Sequence, residues 1–391
     1  ARASLPELVA LRRQIHAQPE LGLHNPLTRD KILAALEGLP LTIRQGPSTS
    51  GIVAELTGGA GAGRSVLLRG DTDALPMQED TGLDFASTIP GAMHACGHDT
   101  HVAMLVGAAK ILCTRREQLA GTVRFMFQPG EEGYHGARFM LDDGLLDPLP
   151  DAAFALHIMP NAPHGLIAGR TGALLAAADH LTIRVNGRGG HASMPHDALD
   201  PVPIACEIVS AIQAMVTRKV SVFDPAVVTI AKVSAGTAHN VIPAFAEIEG
   251  TIRTLSPERR AMVATELRRL APGIAAAHGA AAEVTIVEGF PVTLCDERAV
   301  AMGERVARAT FGDEAWHRMA DPIMGAEDFA YVLEKIPGAM FFLGGSHVGA
   351  DWRSCCGLHS NHMIVDEAIM ARGAALHAAL AESFLRDGFG D

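Results

Sequence analysis

No run of apolar residues in this sequence approaches the roughly 18 that a membrane-spanning helix requires; the longest, near 174–178, is short and rich in alanine. The start of the sequence shows no secretory signal pattern. Basic residues are in deficit. Lys and Arg number 32 against 44 Asp and Glu, a formal net charge of −12. That balance argues against nucleic acid and anionic membranes as partners, since both demand a basic face. Cysteine is sparse and scattered, with six residues at 96, 113, 206, 295, 355 and 356. In a chain of 391 residues such spacing forms no disulfide framework, so a reducing, cytoplasmic compartment is expected. Nucleotide signatures are missing as well. No G-x-x-x-x-G-K-[ST] occurs, and the Gly/Ala-rich stretch 58–63 lacks the G-x-G-x-x-G register and precedes a strand, not a helix. No G-x-S-x-G nucleophile elbow is present either.

Apolar residues make up 48% of the chain, enough for a sizeable core, and at about 150 residues per domain the length allows two or three domains. Periodicity divides the chain into three zones. Zone one, 1–177, alternates helix and strand: a helix over 5–16, strands at 51–56 and 65–69, a helix over 98–113, a strand at 122–127, a helix over 134–141 and a strand at 152–156. This alternation predicts an α/β domain with a mixed, largely parallel sheet covered on both faces. Zone two, 178–288, reads as βαββαβ, the ferredoxin-like order. Its first strand alternates Leu181, Ile183 and Val185 with polar residues, and its helices start at Asp200-Pro201 and Ser256-Pro257. Zone three, 289–391, returns to the first style, with helices expected over 297–310, 326–336 and 366–385 and a strand at 339–343. The expected architecture is therefore a domain of 1–177 plus 289–391, interrupted by an inserted domain of 178–288.

Five polar stretches stand out against this frame. H-A-C-G-H-D at 94–99 places Cys96 and His98 two residues apart in a glycine-containing loop entering a helix, and thiolate and imidazole suit zinc-like metals. A Cys-x-His of this kind is also frequent as a plain buried pair. Q-P-G-E-E-G at 128–133 follows a strand; two adjacent carboxylates repel unless a cation neutralises them, although a solvated acidic turn is the commoner fate of such a pair. R-G-D-T-D-A-L-P at 69–76 offers Asp71 and Asp73, either of which could ligate directly or orient a ligand histidine. His157 ends a predicted strand, and His359 precedes the last helix. The Asp71/Asp73, Glu131/Glu132 and His157 positions all lie just beyond the carboxyl ends of predicted strands, where open α/β sheets build their sites. This clustering points to a metal hydrolase. Of the other histidines, His16, His24, His180, His278, His317 and His377 are expected in surface or capping positions, and the cysteines other than Cys96 as buried apolar residues.

The motifs RGDTDALP, HACGHD, QPGEEG, ALHIMP, GRGGHASMPH, GTAHNVIP, EGTIRT and MGAEDFAY together resemble the M20 metallopeptidase superfamily, in particular its amidohydrolase branch of hippurate hydrolases, N-acyl-amino-acid amidohydrolases and plant auxin-conjugate hydrolases. The resemblance runs in order from about His16 to the last helix. It implies a zinc-peptidase-like α/β catalytic domain with an inserted lid and dimerisation domain, and a site for two divalent ions (zinc, manganese, nickel or cobalt) ligated by Cys96, His98, Glu132, His157 and His359. Glu131 would be the general base, with Asp73 behind the ligands. His191, in the inserted domain, would reach the active site of a partner subunit in a homodimer and stabilise the tetrahedral intermediate. Asn240 and Arg253 would bind the substrate carboxylate. Arg253 offers a planar fork suited to that group and alternates away from Ile248 and Ile252.

The sequence departs from the family at L-H-S-N-H-M-I-V-D-E, 358–367, which leaves His362 as a competitor to His359 for the last ligand position. His24-Asn25-Pro26 stands where relatives carry an acidic stretch. The expected activity is hydrolysis of an N-acyl (aryl or acetyl) amino acid to a carboxylic acid and an amino acid. A dipeptidase or aminopeptidase on the same scaffold, a non-catalytic metal or small-molecule binding protein, and a redox protein using Cys96 are the competing readings.

Overall fold

The computed structural model describes residues 1–390. The chain forms two compact units: residues 1–174, 294–321 and from 328 onward in one, and 175–293 with 322–327 in the other. In chain order the first unit begins with helices α1 (Leu5–His16) and α2 (Pro26–Leu36) and strands β1 (Thr42–Gln45), β2 (Ile52–Thr57) and β3 (Ser65–Asp71). Helix α3 (His98–Thr114), strand β4 (Thr122–Gln128), helix α4 (Gly136–Asp142) and strands β5 (Ala152–Met159) and β6 (Ile167–Gly169) follow.

The second unit comprises β7 (Ala177–Asn186), α5 (Pro201–Lys219), β8 (Ala226–Ala235), β9 (Phe245–Thr254), α6 (Pro257–Ala277) and β10 (Ala281–Glu288). These give the expected βαββαβ order. The four strands form one antiparallel sheet ordered β8-β9-β7-β10. Alternation explains its one-sidedness: along β7, Leu181, Ile183 and Val185 are buried while the residues between them are partly open. Those three side chains pack with Ile248 and Ile252 of β9, Ile204, Ile208 and Ile212 of α5, and Val263 and Leu267 of α6. Both helices are capped as the sequence indicates: Asp200 accepts from the Val202 amide and Ser256 from the Arg259 amide. Residues 322–327 join this unit through Ala176, whose amide donates to the carbonyls of Ile323 and Gly325.

The chain returns to the first unit with α7 (Glu297–Phe311), β11 (Trp316–Arg318), the short α8 (Ala330–Leu333), β12 (Gly338–Gly344) and α9 (Ile369–Asp387). Its eight-stranded sheet has the order β1-β2-β4-β3-β5-β12-β6-β11. The centre, β4-β3-β5-β12, is parallel throughout, and antiparallel pairings lie toward the margins. Nearly every residue of β3, β4, β5 and β12 is buried, the signature of strands covered on both faces. Helix α3 packs on α1 and α9, and α4 packs on α8 and β4. The parallel centre carries the carboxyl ends of β3, β4 and β5 to the same edge.

Several local expectations need correction. The helix expected over 326–336 is only the single turn α8, because the Asp328 carboxylate is fixed in the core: it accepts from Arg69, Gln128 and the Ala137 amide. The helix expected from 134 starts at Gly136 because His135 adopts a left-handed backbone (φ 60°). Helix α2 and strand β1 were not anticipated. In α2 the buried positions are Thr28, Ile32 and Leu36, a stripe led by a polar residue, and its N-terminal amides at 27 and 28 are satisfied by the Glu20 carboxylate from outside the helix. Of the cysteines expected to be buried, Cys295 is, Cys113 and Cys355 are half-buried, and Cys206 and Cys356 are exposed. Cys206 sits on the outward side of α5, next to the inward-facing Ala205. No described helix is long and apolar enough to cross a membrane.

Candidate metal centre

Three loops at the carboxyl edge of the parallel strands bring the chemistry together. Cys96 and His98 lie where the 94–97 loop enters α3, Glu131 and Glu132 follow β4, and His157 lies near the end of β5. Potential ligand atoms fall within 4.8 Å of one another in overlapping groups: Cys96, His98 and His157; Cys96, Glu132 and His359; and His98, Glu131 and Glu132. Cys96 belongs to the first two. His359, of the two candidate histidines before the last helix, is the one in a group. His362 instead points its Nδ1 at the Asp80 carbonyl, 2.5 Å away.

Backbone geometry sets this arrangement. Gly97 has φ +83°, and a Cβ there would lie 2.4 Å from Ile158 Cγ2. Only glycine lets the loop turn into α3 against β5. Gly97→Ala is expected to cost about 1–3 kcal/mol through the strained φ and overpacking and to lower metal retention, checked by thermal unfolding and metal content. His359 is itself left-handed (φ 63°), and its amide donates to the Ala95 carbonyl at 2.8 Å. That hydrogen bond pins the last ligand candidate to the Cys96 loop.

Asp73 organises the acidic side. Its two carboxylate oxygens accept from the Glu131 and Glu132 amides at 2.9 and 3.0 Å, fixing both backbones at once. The Asp73 carbonyl accepts from His98 Nδ1 at 2.8 Å. A carbonyl can only accept, so His98 donates from Nδ1, and its Nε2 faces Asp71 at 3.5 Å and Glu131 and Glu132 at 3.9 Å each. Asp71, the other carboxylate of this motif, does not hold the glutamate backbones: it pairs with buried Arg69 and with His101.

Burial pushes the Cys96 thiol up, and burial likewise holds His157 neutral, well below the usual imidazole range. For Glu132 burial acts upward, but His359 and His98 outweigh it and the carboxylate titrates below its ordinary range. Two buried polar atoms, His98 Nε2 and Glu132 Oε1, have no hydrogen-bond partner. Unpartnered buried polar atoms are costly, and both belong to the cluster. A thiol, three imidazoles and a carboxylate are a donor set that borderline metals such as zinc accept. The residues present fit a metal centre.

Beneath the loop lies an ion network that was not anticipated. His16, expected on the surface or at a cap, is fully buried. It donates from Nδ1 to Asp99 at 2.8 Å and from Nε2 to Glu79 at 3.1 Å, while Arg12 donates to the same Asp99 oxygen. Burial acts to lower the His16 pKa, but Asp99 and Glu79 outweigh it and raise it to about 9. The neighbouring His94 is pushed down to about 3, chiefly by burial. A folded-state value above the unfolded one of 6.5 means that the His16 contribution is complete below pH 6.5 and lost as pH rises through about 9. Thermal unfolding of wild type against His16→Gln is expected to show a difference on the order of 3 kcal/mol near pH 6, shrinking toward zero by pH 10. A difference independent of pH contradicts this reading.

His191 lies in a two-residue strand, Gly190–His191, paired with Val241–Ile242. It is exposed, and its Nδ1 accepts from the Ser193 amide at 3.2 Å, so a neutral ring carries its proton on Nε2. The Asn240 carbonyl accepts from the Ala192 amide. Arg253 is half-buried on the β9 face opposite the apolar core, donates to Thr251 and to the Ile252 carbonyl, and has its pKa lowered by burial.

Residues 67–383 match Peptidase family M20/M25/M40. An N-acetylcysteine deacetylase of Bacillus subtilis is 42% identical over 338 residues, covering 86% of this chain and 88% of that protein. An IAA-amino acid hydrolase of Arabidopsis thaliana is 37% identical over 384 residues, covering 97% and 85%. Among solved structures, a Bacillus subtilis protein described as a dinuclear metal-binding peptidase from the M20 family superposes with a TM-score of 0.86 at 36% identity, over 99% of each chain. The chain belongs to Peptidase family M20/M25/M40 and is a metal-dependent hydrolase of amide bonds.

Proposed function

We propose that this hydrolase cleaves the amide bond of N-acyl amino acids, releasing a carboxylic acid and an amino acid, at a centre of two divalent ions. The observation that carries the reading is the pair of ligand groups that share Cys96, with Glu131 alongside. Cys96, His98 and His157 would hold one ion, and Cys96, Glu132 and His359 the other, with zinc, manganese, nickel and cobalt all suited to such donors. Bound there, the ions supply Lewis-acid activation of water and of the amide carbonyl. Relatives named for N-acetylcysteine and for an auxin–amino acid conjugate support an acylated amino acid as the substrate.

The protein's own residues do the rest. Glu131, whose amide is fixed by Asp73, takes a proton from the attacking water and hands it to the departing amine nitrogen. Water adds its oxygen to the carbonyl carbon, the C–N bond breaks, and the two protons end on the amine, so no covalent acyl-enzyme is needed. His191 presents an Nε2–H, the donor an oxyanion requires. The Arg253 guanidinium and Asn240 would fix the substrate carboxylate.

His191 is assigned to the site of a second copy of the chain, in a homodimer formed through the second unit. Supporting this, β8 is an edge strand whose residues 232–235 are all exposed, and Val222, Phe223 and Val233 beside or on it are 81%, 95% and 51% exposed. Open apolar edges of this kind are pairing templates. Six cysteines without a disulfide support a reducing, cytoplasmic location.

The test is a panel of acetyl-, benzoyl- and indole-acyl amino acids against dipeptides with a free amine. Turnover of the acylated set alone supports the reading, and preference for free amines overturns it in favour of a peptidase. Light scattering is expected to give a dimer, with Val233→Lys shifted to monomer and inactive. A fully active monomer contradicts the assignment of His191 to the partner.

A further inference from the structure

The inference rests on the proposed metal centre and concerns His101, which lies one helical turn after His98 on α3. Strand β5 runs on beyond its last pairing with β3, Arg69 opposite Ala155, and so exposes a backbone edge that no strand satisfies there. At Ile158 two imidazoles take the place of a strand. The Ile158 amide donates to His101 Nε2 at 2.8 Å, and the Ile158 carbonyl accepts from His157 Nδ1 at 2.8 Å. His101 Nδ1 in turn faces Asp71 Oδ1 at 2.5 Å.

Each link has only one possible polarity. A backbone amide only donates, so His101 Nε2 must be a bare lone pair, and the proton of the neutral ring sits on Nδ1, where the Asp71 carboxylate accepts it. A carbonyl only accepts, so His157 must be protonated on Nδ1, and its Nε2 lone pair is the one aimed at Cys96 Sγ, 3.4 Å away. Asp71 is itself held as a carboxylate by buried Arg69, which donates to its other oxygen. The two rings stand 4.7 Å apart at 66°. We propose that His101 is a positioning residue: with Asp71 it holds the Ile158 amide, and through the extended backbone of Ile158 it steadies the carbonyl that sets the ring direction and the tautomer of the metal ligand His157.

The direct support of His157 is the usual one, a backbone carbonyl accepting from the ring. His101 stands one step behind it, on the amide of the same residue, and acts without a hydrogen bond to His157. A structural role alone would show only in stability. A positioning role predicts a selective effect on one of two metal sites.

The first test needs no metal. Long-range ¹H–¹⁵N spectra of histidine-labelled, metal-free protein are expected to show His101 protonated at Nδ1 and bare at Nε2, and His157 in the same tautomer. A His101 ring protonated at Nε2 overturns the proposal whatever the metal content. The second is titration of chelated protein with Zn²⁺. In His101→Phe one site is expected to weaken about 10–100-fold while the other is unchanged, and in His101→Gln, whose amide oxygen can still accept from Ile158, affinity is expected to recover at least in part. Two unchanged sites in a folded His101→Phe, judged by circular dichroism, overturn it. If His101→Phe does not fold, His101→Gln and the spectra of the wild type decide alone. A wild type that binds fewer than two ions counts against the metal centre and leaves the tautomer result standing.

Discussion

Glu131→Gln is expected to lower hydrolysis of an N-acyl amino acid by about 10³-fold, in the range typical of losing a general base, while both metal ions stay bound. The substitution keeps size, burial and the backbone amide that donates to Asp73, and removes only the capacity to take a proton. Glu131 shares a group with His98 and Glu132, yet the two groups that contain Cys96 do not need it. Metal content equal to wild type with turnover nearly abolished is therefore the expected pair of results. Full turnover in Glu131→Gln with metal bound removes Glu131 from the reaction, and loss of one ion makes it a ligand instead of a base.

The second large effect belongs to Cys96. It is the one residue common to both ligand groups, so Cys96→Ala is expected to weaken both sites together. The loss in affinity should exceed the roughly 100-fold ceiling usual for residues behind the ligands, with turnover falling to background. Cys295→Ala is the matched control: this thiol is similarly buried, is pushed up to about 12 chiefly by burial, and donates to the Met340 carbonyl. Its removal should affect stability alone. Metal content measured by elemental analysis checks both, and a Cys96→Ala protein that still carries two ions contradicts the shared-ligand geometry.

The division of the fold into an α/β unit and a βαββαβ unit was legible because its signals are local. Leu181, Ile183 and Val185 alternate by two, and Asp200-Pro201 and Ser256-Pro257 announce the two helices behind them. The candidate site was legible for a topological reason: parallel strands deliver Asp71, Gln128 and His157 to one edge, and short polar motifs at strand ends mark that edge. What stayed hidden depends on long-range partners. His16 looked like a helix-end histidine, and only the arrival of Asp99 and Glu79 makes it a buried cation. Asp328 belongs to a stretch with helical pattern, but Arg69 and Gln128 claim its carboxylate and the helix shrinks to one turn. Ile158 carries no side-chain signal for its contacts with His101 and His157, since they are made by its backbone amide and carbonyl. That His359 and not His362 falls in a group with Cys96 and Glu132 goes with a left-handed backbone at His359 that the sequence around it does not betray.

The central claim is that amide hydrolysis depends on two ions held around Cys96. Stepwise addition of Zn²⁺ or Mn²⁺ to chelated protein, with N-acetyl amino acid hydrolysis read at each step, tests it most directly. Activity should be absent in the metal-free protein, rise with added ion and level off at two ions per chain, and Cys96→Ala should show no such rise. Full activity in the chelated protein, or a plateau that Cys96→Ala reproduces, would contradict the account.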